Sequence, residues 1–453
     1  MMRLGRALCT LGCAAAVAAA AERPLTDVDA KAGKALYLQE CSACHGERGD
    51  GAGPAAAFLD PRPRNFTKRL FKLRSTPTGQ PPTTDDILRT IERGIPGTSM
   101  SSFAILPADD RKKIAAYVLQ RADFLDEPEP TPIPDPGTPP ASNPESIATG
   151  KQLYVDAGCP SCHGPGGKGD GNQEMKDTDG NPIKARDFTT GVFRGGADRR
   201  DLYYRFTTGM DGSPMPSYGG VLEEPQRWAL VDFITTLLSP PPPAALPADP
   251  IAAGRAVAAK YSCRGCHVLD DGTGGEVGPD FRLAGQKLDP TWVRTFLRAP
   301  HAYGKIYPWR TWRMPPIALA TEEVETMARY LAAVGKRPDA ATALPDVATF
   351  PAAKLEAGKN RFVLTCAQCH SLGTVVQTPL ASQQGPDLAR VAGRVDFAFA
   401  AKWILDPTKL DPKTKMLIPG GGLTPDEVDA VRMFVWKTSI EQKKAATSAA
   451  GGG

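Results

Sequence analysis

The stretch Cys41-Ser42-Ala43-Cys44-His45 returns with the same spacing at three further places in the chain. The other copies are Cys159-Pro160-Ser161-Cys162-His163, Cys263-Arg264-Gly265-Cys266-His267 and Cys366-Ala367-Gln368-Cys369-His370. Successive copies stand 118, 104 and 103 residues apart, and near-constant spacing of this kind indicates a repeated module of small-domain size. The 453 residues are therefore predicted to form four tandem modules.

Two cysteines two residues apart, followed at once by histidine, are typical of covalent attachment of a c-type haem. Structural zinc would need paired ligand sets that close a tetrahedron, and a thioredoxin-like site would need no histidine. A disulfide is open to any cysteine pair, but it leaves the histidine unexplained. Four covalently bound haems are predicted, with iron ligated by the four motif histidines and thioether bonds from the motif cysteines: Cys41, Cys44, His45, Cys159, Cys162, His163, Cys263, Cys266, His267, Cys366, Cys369 and His370.

Composition and charge favour small exported domains and give no sign of nucleic-acid binding. Hydrophobic residues make up 41% of the chain, and 45 glycines and 44 prolines indicate many loops and linkers. The formal charge is +4, and it falls to +2 once residues 1–21 are removed. Four haems would add about eight negative charges through their propionates, so we expect the loaded protein to be acidic.

Residues 1–21 have the pattern of a secretory signal peptide, with Arg3 and Arg6 before a short Ala-rich apolar run. The alternatives are an uncleaved anchor or a lipid-modified Cys13. Cys9 and Cys13 would leave with the leader, so no free thiol would remain. No later stretch is apolar enough to span a membrane. We expect a location in the periplasm or on the outer face of the cytoplasmic membrane.

Local repeats divide the modules into two duplicated pairs. Modules one and two share Arg64-Asn65-Phe66-Thr67 and Arg186-Asp187-Phe188-Thr189, whereas modules three and four share Gly278-Pro279-Asp280-Phe281 and Gly385-Pro386-Asp387-Leu388. Proline-rich stretches separate the modules and are predicted to be stiff linkers. The predicted division is domain one 22–125, linker 126–144, domain two 145–239, linker 240–249, domain three 250–336, linker 337–352, domain four 353–440 and a disordered tail 441–453.

The second axial ligand decides between an electron carrier and an enzyme. Only His301 lies outside the four motifs, so it is expected at a surface or a haem edge. Each module carries a methionine in a Pro- or Gly-rich loop, and these are the predicted iron ligands: Met100, Met215, Met314 and Met416. Met210 competes with Met215, whereas Met327 and Met433 have the spacing of core residues.

Each module resembles a class I cytochrome c domain, with a helix that ends in the haem motif, a methionine-bearing loop and a C-terminal helix. A glycine of the first helix and an aromatic residue of the last match the family's crossing-helix contact: Gly33 and Tyr117, Gly150 and Phe233, Gly254 and Tyr330, Gly358 and Phe434. The resemblance implies a mainly α fold and His/Met iron. It also implies that the carbonyl groups of Pro279 and Pro386 orient the proximal histidines, while module two lacks a clear counterpart.

A six-coordinate haem iron exchanges electrons without binding substrate, so the resemblance implies a carrier rather than an enzyme. The expected function is a relay from a quinol-oxidising complex or dehydrogenase to a terminal oxidase or reductase. Redox proteins, including membrane respiratory complexes, are the expected partners. The acid-free basic run at 62–74 is a candidate docking surface for an acidic partner. The alternatives are a redox enzyme with one open or unusually ligated haem, or a fixed haem subunit of a larger respiratory complex.

Overall fold

The structure is a computed structural model that describes residues 22–242, 244–303, 311–338, 343–377, 385–417 and 422–450, with backbone only for 446–450. The predicted leader at 1–21 lies outside the described residues. The fold is mainly α, as predicted, and the helices fall into four successive groups, one around each Cys-x-x-Cys-His motif. None of the described helices is long and apolar enough to cross a bilayer.

Modules one and two have the same order of helices. In module one these are Asp27–Glu40, Ser42–His45, Thr84–Arg93 and Ala108–Arg121, and in module two Pro144–Asp156, Pro160–His163, Arg199–Thr208 and Glu224–Thr236. Short 3-10 helices lie at Ala56–Phe58, Phe66–Lys68 and Phe188–Thr190. Module two also has a small antiparallel hairpin of strands Met175–Lys176 and Pro182–Ile183.

Modules three and four follow a second, shared plan. The helices of module three are Pro250–Lys260, Phe281–Lys287, Pro290–Arg298 and Thr321–Val334, with 3-10 turns at Cys263–Gly265 and Pro300–Tyr303. The helices of module four are Ala352–Arg361, Phe397–Leu405, Pro407–Leu410 and Pro425–Ala450, with a π-helical turn at Phe362–Cys366 and 3-10 turns at Val347–Thr349 and Leu388–Arg390.

The first and last helices of every module cross at a glycine, as the resemblance implied. A Cβ atom on the first-helix glycine would overlap the last helix, so only glycine permits this approach. The contacts are Gly33 on Lys113, Gly150 on Ala229, Gly254 on Tyr330 and Gly358 on Ala430. Aromatic residues extend the crossing, with ring centroids 4.8 Å apart for Tyr37 and Tyr117 and 5.3 Å apart for Tyr154 and Phe233.

Modules three and four pack around a local pseudo-twofold axis. Leu288 and Val395, which stand 107 positions apart, form an antiparallel bridge. The amide of Asp289 donates to the carbonyl of Arg394, and the amide of Asp396 donates to the carbonyl of Lys287, both at 2.9 Å. Each of these residues stands 107 positions from its counterpart, so the pairing is self-complementary in the manner of a twofold dimer.

Modules one and two show the same kind of reciprocity through their methionine-bearing loops. The loop glycine of module one, Gly97, lies against Arg186 and Val192 of module two. The equivalent Gly212 of module two lies against Arg64 and Leu70 of module one. The duplicated pairs recognised in the sequence are therefore also packed as pairs.

The C-terminal tail, which was predicted to be disordered over 441–453, is helical as far as Ala450. Residues 441–450 continue the last helix to Ala450, and 451–453 lie outside the described residues. The run after Lys443 is rich in alanine, which has the highest helix propensity, and it extends a helix that is already anchored. The side chain of Gln442 donates to the carbonyl of Leu372, which fixes the start of this extension.

A glycine substitution in module two tests the crossing contact. Gly150→Ala should lower the free energy of unfolding by about 1–3 kcal/mol, because the new methyl group would overlap the Ala229 carbonyl. The matched control is Gly220→Ala, since nothing lies within 4 Å of a Cβ at Gly220 and its φ is not positive. Urea unfolding followed by far-UV circular dichroism measures both, and equal stability of the two variants would contradict the crossing account.

Candidate haem sites

Each motif histidine is held by a backbone carbonyl from a later loop. The Nδ1 atom lies 3.0 Å from the Arg64 oxygen for His45 and 3.1 Å from the Arg186 oxygen for His163. The same distance is 2.8 Å from Pro279 to His267 and 2.9 Å from Pro386 to His370. A carbonyl can only accept, so Nδ1 carries the proton and donates. The lone pair of Nε2 is then available to a metal.

These bonds confirm the roles implied for Pro279 and Pro386, and they supply the counterpart that module two lacked in the sequence. Arg64 and Arg186 are the first residues of the shared Arg-Asn/Asp-Phe-Thr repeats. Their carbonyl groups accept the histidine hydrogen bond that the proline carbonyl accepts in modules three and four. The repeat was recognised in the sequence, but the hydrogen bond from the histidine to its first carbonyl was not. Any residue type has a backbone carbonyl, so the sequence does not show which carbonyl accepts.

The residues after each accepting carbonyl complete a small support for the imidazole. The next residue, an Asn or Asp, accepts a hydrogen bond from an amide two positions on and starts a 3-10 or α-helical turn. The following aromatic ring packs against the histidine, with centroids 4.7 Å apart for Phe66, 4.3 Å for Phe188 and 4.6 Å for Phe281. Module four has Leu388 at this position.

Burial favours the neutral form of several motif side chains. It lowers the pKa of His45, His163 and His370, and it raises the pKa of Cys44 and Cys263 to about 12. A cysteine that acts as a nucleophile usually has a lowered pKa, so Cys44 and Cys263 do not suit that role. The described residues hold no cluster of three His, Cys, Asp or Glu side chains that could bind a metal by themselves. Neutral imidazole and protonated thiols beside it fit haem attachment.

Module one contains a large, mainly apolar cleft that brings His45 and Met100 together. The cleft has a volume of about 1510 Å³, which includes the part that is open to solvent. Its walls include Phe66, Ile91 and Phe103. An apolar cleft with an imidazole and a thioether suits a porphyrin whose iron takes both as ligands. The two cysteines of the first motif also line it.

The other three predicted methionines also lie in loops, and the role of all four methionines as iron ligands stays a prediction. Met215 packs on the module-two core together with Cys159. Met210, the alternative ligand in module two, lines the module-one cleft instead. Met416 accepts a hydrogen bond from the Trp403 indole at 3.0 Å. Met314 is half-buried in module three.

Cationic side chains from modules one and two meet beside the module-one cleft. Arg64, Lys72 and Arg194 line the cleft, and Arg186 lies close enough to lower the pKa of Arg194. Burial, reinforced by Arg64 and Arg194, lowers the pKa of Lys72 to about 8. The Nε atom of Arg194 is buried and has no hydrogen-bond partner in the described part of the chain. Asp60, Asp177 and Asp179 offset part of this positive charge, and the carboxylates of a porphyrin would offset more of it.

Two sequence expectations can be compared with the packing here. In the basic run at 62–74, Arg64, Lys72 and Arg74 are used between modules one and two, and Arg74 donates to the Thr208 carbonyl at 2.8 Å. A docking role for the exposed remainder of the run stays a prediction. The sequence predicts that His301 lies at a surface or a haem edge. Its Nε2 lies 3.1 Å from Glu40, which lines the module-one cleft, and both side chains are buried where module three meets module one. The surface alternative is therefore wrong, and the haem edge stays a prediction.

Comparison with known proteins gives the family. The cytochrome c family model matches residues 30–122 and 147–238, in modules one and two. The Cbb3-type cytochrome c oxidase subunit FixP of Azorhizobium caulinodans is 27% identical over 233 residues, which cover 49% of this chain and 68% of that protein. Modules one and two are thus c-type cytochrome domains, in keeping with the resemblance to the class I family. A chain of the Kuenenia stuttgartiensis reducing HAO-like protein complex is 40% identical over 46% of this cytochrome and 95% of that chain, with a TM-score of 0.44.

The cytochrome is a multihaem electron-transfer protein with covalently bound haem c. The bound haem supplies an iron that gains and loses single electrons, and the chain supplies everything that tunes it. Carbonyl groups orient the imidazoles, apolar walls exclude water, and buried cations bias the charge of the site.

The cation cluster makes a prediction about redox potential. Arg194→Gln should lower the midpoint potential of the module-one haem, because removing a positive charge favours the oxidised iron. A unit charge about 15 Å away contributes on the order of 1 kcal/mol at an effective dielectric constant of about 20. Spectroelectrochemical titration measures the shift. Arg48→Gln is the control, since Arg48 lies in module one with a side chain 85% exposed, and equal shifts in both variants would contradict a role for the cluster.

Proposed function

We propose that this cytochrome is an exported tetrahaem electron relay, with one haem at each Cys-x-x-Cys-His motif. The observation that carries the proposal is the repeated donation from histidine Nδ1 to a backbone carbonyl, at 2.8 to 3.1 Å in all four modules. A chance Cys-x-x-Cys-His would have no reason to orient its imidazole in this way four times. The exported location rests on the signal-peptide pattern of residues 1–21.

The proposed iron ligands are His45 with Met100, His163 with Met215, His267 with Met314 and His370 with Met416. Thioether ligation favours reduced iron and raises the potential relative to two imidazoles. Iron with both axial positions filled has no place for a substrate, which suits a carrier. Proposed donors are a quinol-oxidising complex or a periplasmic dehydrogenase, and proposed acceptors are a terminal oxidase or reductase.

A second candidate is a fixed haem subunit of a larger respiratory complex. The relative FixP is by name a subunit of a Cbb3-type cytochrome c oxidase, and the alignment covers 68% of it. The electron-transfer chemistry would be the same in both cases, and only the permanence of the partner differs. Co-purification of the cytochrome from membranes in fixed stoichiometry with oxidase or reductase subunits would support the second candidate over a diffusing relay.

Exchange of one methionine tests the relay account. Met100→His should lower the potential of one haem, because a second imidazole favours oxidised iron more than a thioether does. It should also remove one of four Met–iron charge-transfer bands and leave three. Redox titration with haem-resolved spectra measures both effects, and Met327→Leu is the control because Met327 is a buried core residue of module three.

Carbon monoxide gives the opposing test. If the reduced wild-type protein binds carbon monoxide at one haem, the iron there has an open position, and the alternative of a redox enzyme replaces the carrier at that module. No binding at any haem supports four saturated sites.

A further inference from the structure

We propose that the haem sites follow one another in space in the order two, one, three, four, so that electrons cross between the two pairs from module one to module three. The inference deepens the proposed relay and rests on it. The chain order alone would place the crossing between modules two and three. The contacts of the described residues place it elsewhere.

The haem motifs of modules one and three meet directly. Cys266 lines the module-one cleft alongside Cys44. The neighbouring Gly265 lies against the Leu59 side chain, where a Cβ would come 2.5 Å from the Leu59 Cδ2 atom. The cysteines that would hold the haems of modules one and three therefore lie at the same cleft.

A segment of module three holds this contact in place. The Trp312 indole donates to Ser42 Oγ at 2.9 Å, inside the first haem motif. The Arg313 amide donates to the Gln39 carbonyl at 3.0 Å. The Arg313 guanidinium lies 3.6 Å from Glu40, whose side chain is 1% exposed, and His301 contacts the same carboxylate. The buried carboxylate thus has two partners from module three, and losing either would cost stability.

Module two reaches the same cleft from another side. Arg194 and Met210 of module two line the module-one cleft. Arg205 donates to the Lys72 and Arg74 carbonyls at 2.8 and 2.6 Å. Module one therefore touches both module two and module three at its haem cleft, which makes it the junction of the relay.

Module four joins through module three. Their pseudo-twofold bridge at Leu288 and Val395 places the helix Phe281–Lys287 against module four. The Lys287 ammonium lies 4.3 Å from the centre of the Trp403 ring, and that indole donates to Met416. Module three thus contacts the ligand environment of the last haem.

The order implies a relay that can be entered at module two and left at module four, or the reverse. Each transfer moves one electron from reduced to oxidised iron, with no bond formed or broken. The redox proteins proposed above supply and remove the electrons at the two ends. The contacts given above between the pairs are those of module one with module three, so we expect electrons to cross there.

Two ligand exchanges test the order in the full, haem-loaded chain. A haem of lowered potential stays oxidised while its neighbours are reduced, and its extra positive charge raises their midpoint potentials. In haem-resolved redox titration, Met100→His should raise the midpoints of the haems in modules two and three. Met215→His should raise that of module one only. A rise at module three in Met215→His, with none in Met100→His, would overturn the order and support the chain order.

A third variant tests the docking without relying on the methionines. Arg313→Glu places a second negative charge against buried Glu40, and each 1.4 kcal/mol lost makes the separated state about tenfold more populated. Small-angle X-ray scattering should then give a larger radius of gyration at unchanged haem content. Arg313→Lys keeps the charge and should match the wild type. An unchanged radius in Arg313→Glu would overturn the docking. If both ligand variants keep all of their Met–iron bands, the proposed methionine ligands are wrong. The scattering result for Arg313→Glu then decides the order.

Discussion

A single hydrogen bond recurs at each haem motif, and the motif cannot supply it. The histidine donates from Nδ1 to a carbonyl that lies 12 to 23 residues later in the chain. That carbonyl sets the tautomer and the direction of the ring, and so decides whether Nε2 can serve as a ligand. An Asx turn follows the carbonyl in all four modules, and in modules one to three an aromatic ring packs against the histidine. The loop after each motif is therefore as much a part of the site as the cysteines.

The helix crossing performs the corresponding task for the module as a whole. The glycine of the first helix lets the last helix approach closely, and the tyrosine four residues further along that first helix in modules one and two contacts the aromatic residue of the last helix. The haem motif begins within a few residues of the end of the first helix, so the crossing limits where the cysteines stand. Packing of the modules in pairs then repeats the reciprocity of a twofold dimer within one chain. The cations buried between modules one and two suggest that pairing also shapes the electrostatics of the haem sites.

Much of this was readable from the sequence, since the motif, the spacing, the crossing glycines and the paired repeats are all local patterns. The carbonyl roles of Pro279 and Pro386 followed from resemblance, whereas those of Arg64 and Arg186 did not, because a backbone atom is not encoded by residue type. The contacts of His301 and of the basic run could not be predicted for a different reason. Their partners, Glu40 and module two, are distant in the chain, and contacts of that kind are decided by packing. The helix through residues 441–450 shows that helix propensity and an anchored start outweighed small, polar composition.

The central claim is that four haems are bound covalently, one at each motif. Intact-protein mass spectrometry of the denatured cytochrome, matured with the haem-ligation machinery, tests it most directly. The account predicts a mass increase of four haems and a pigment that acidified organic solvent does not extract. A mass increase of three or fewer, or a pigment that extracts freely, would contradict it.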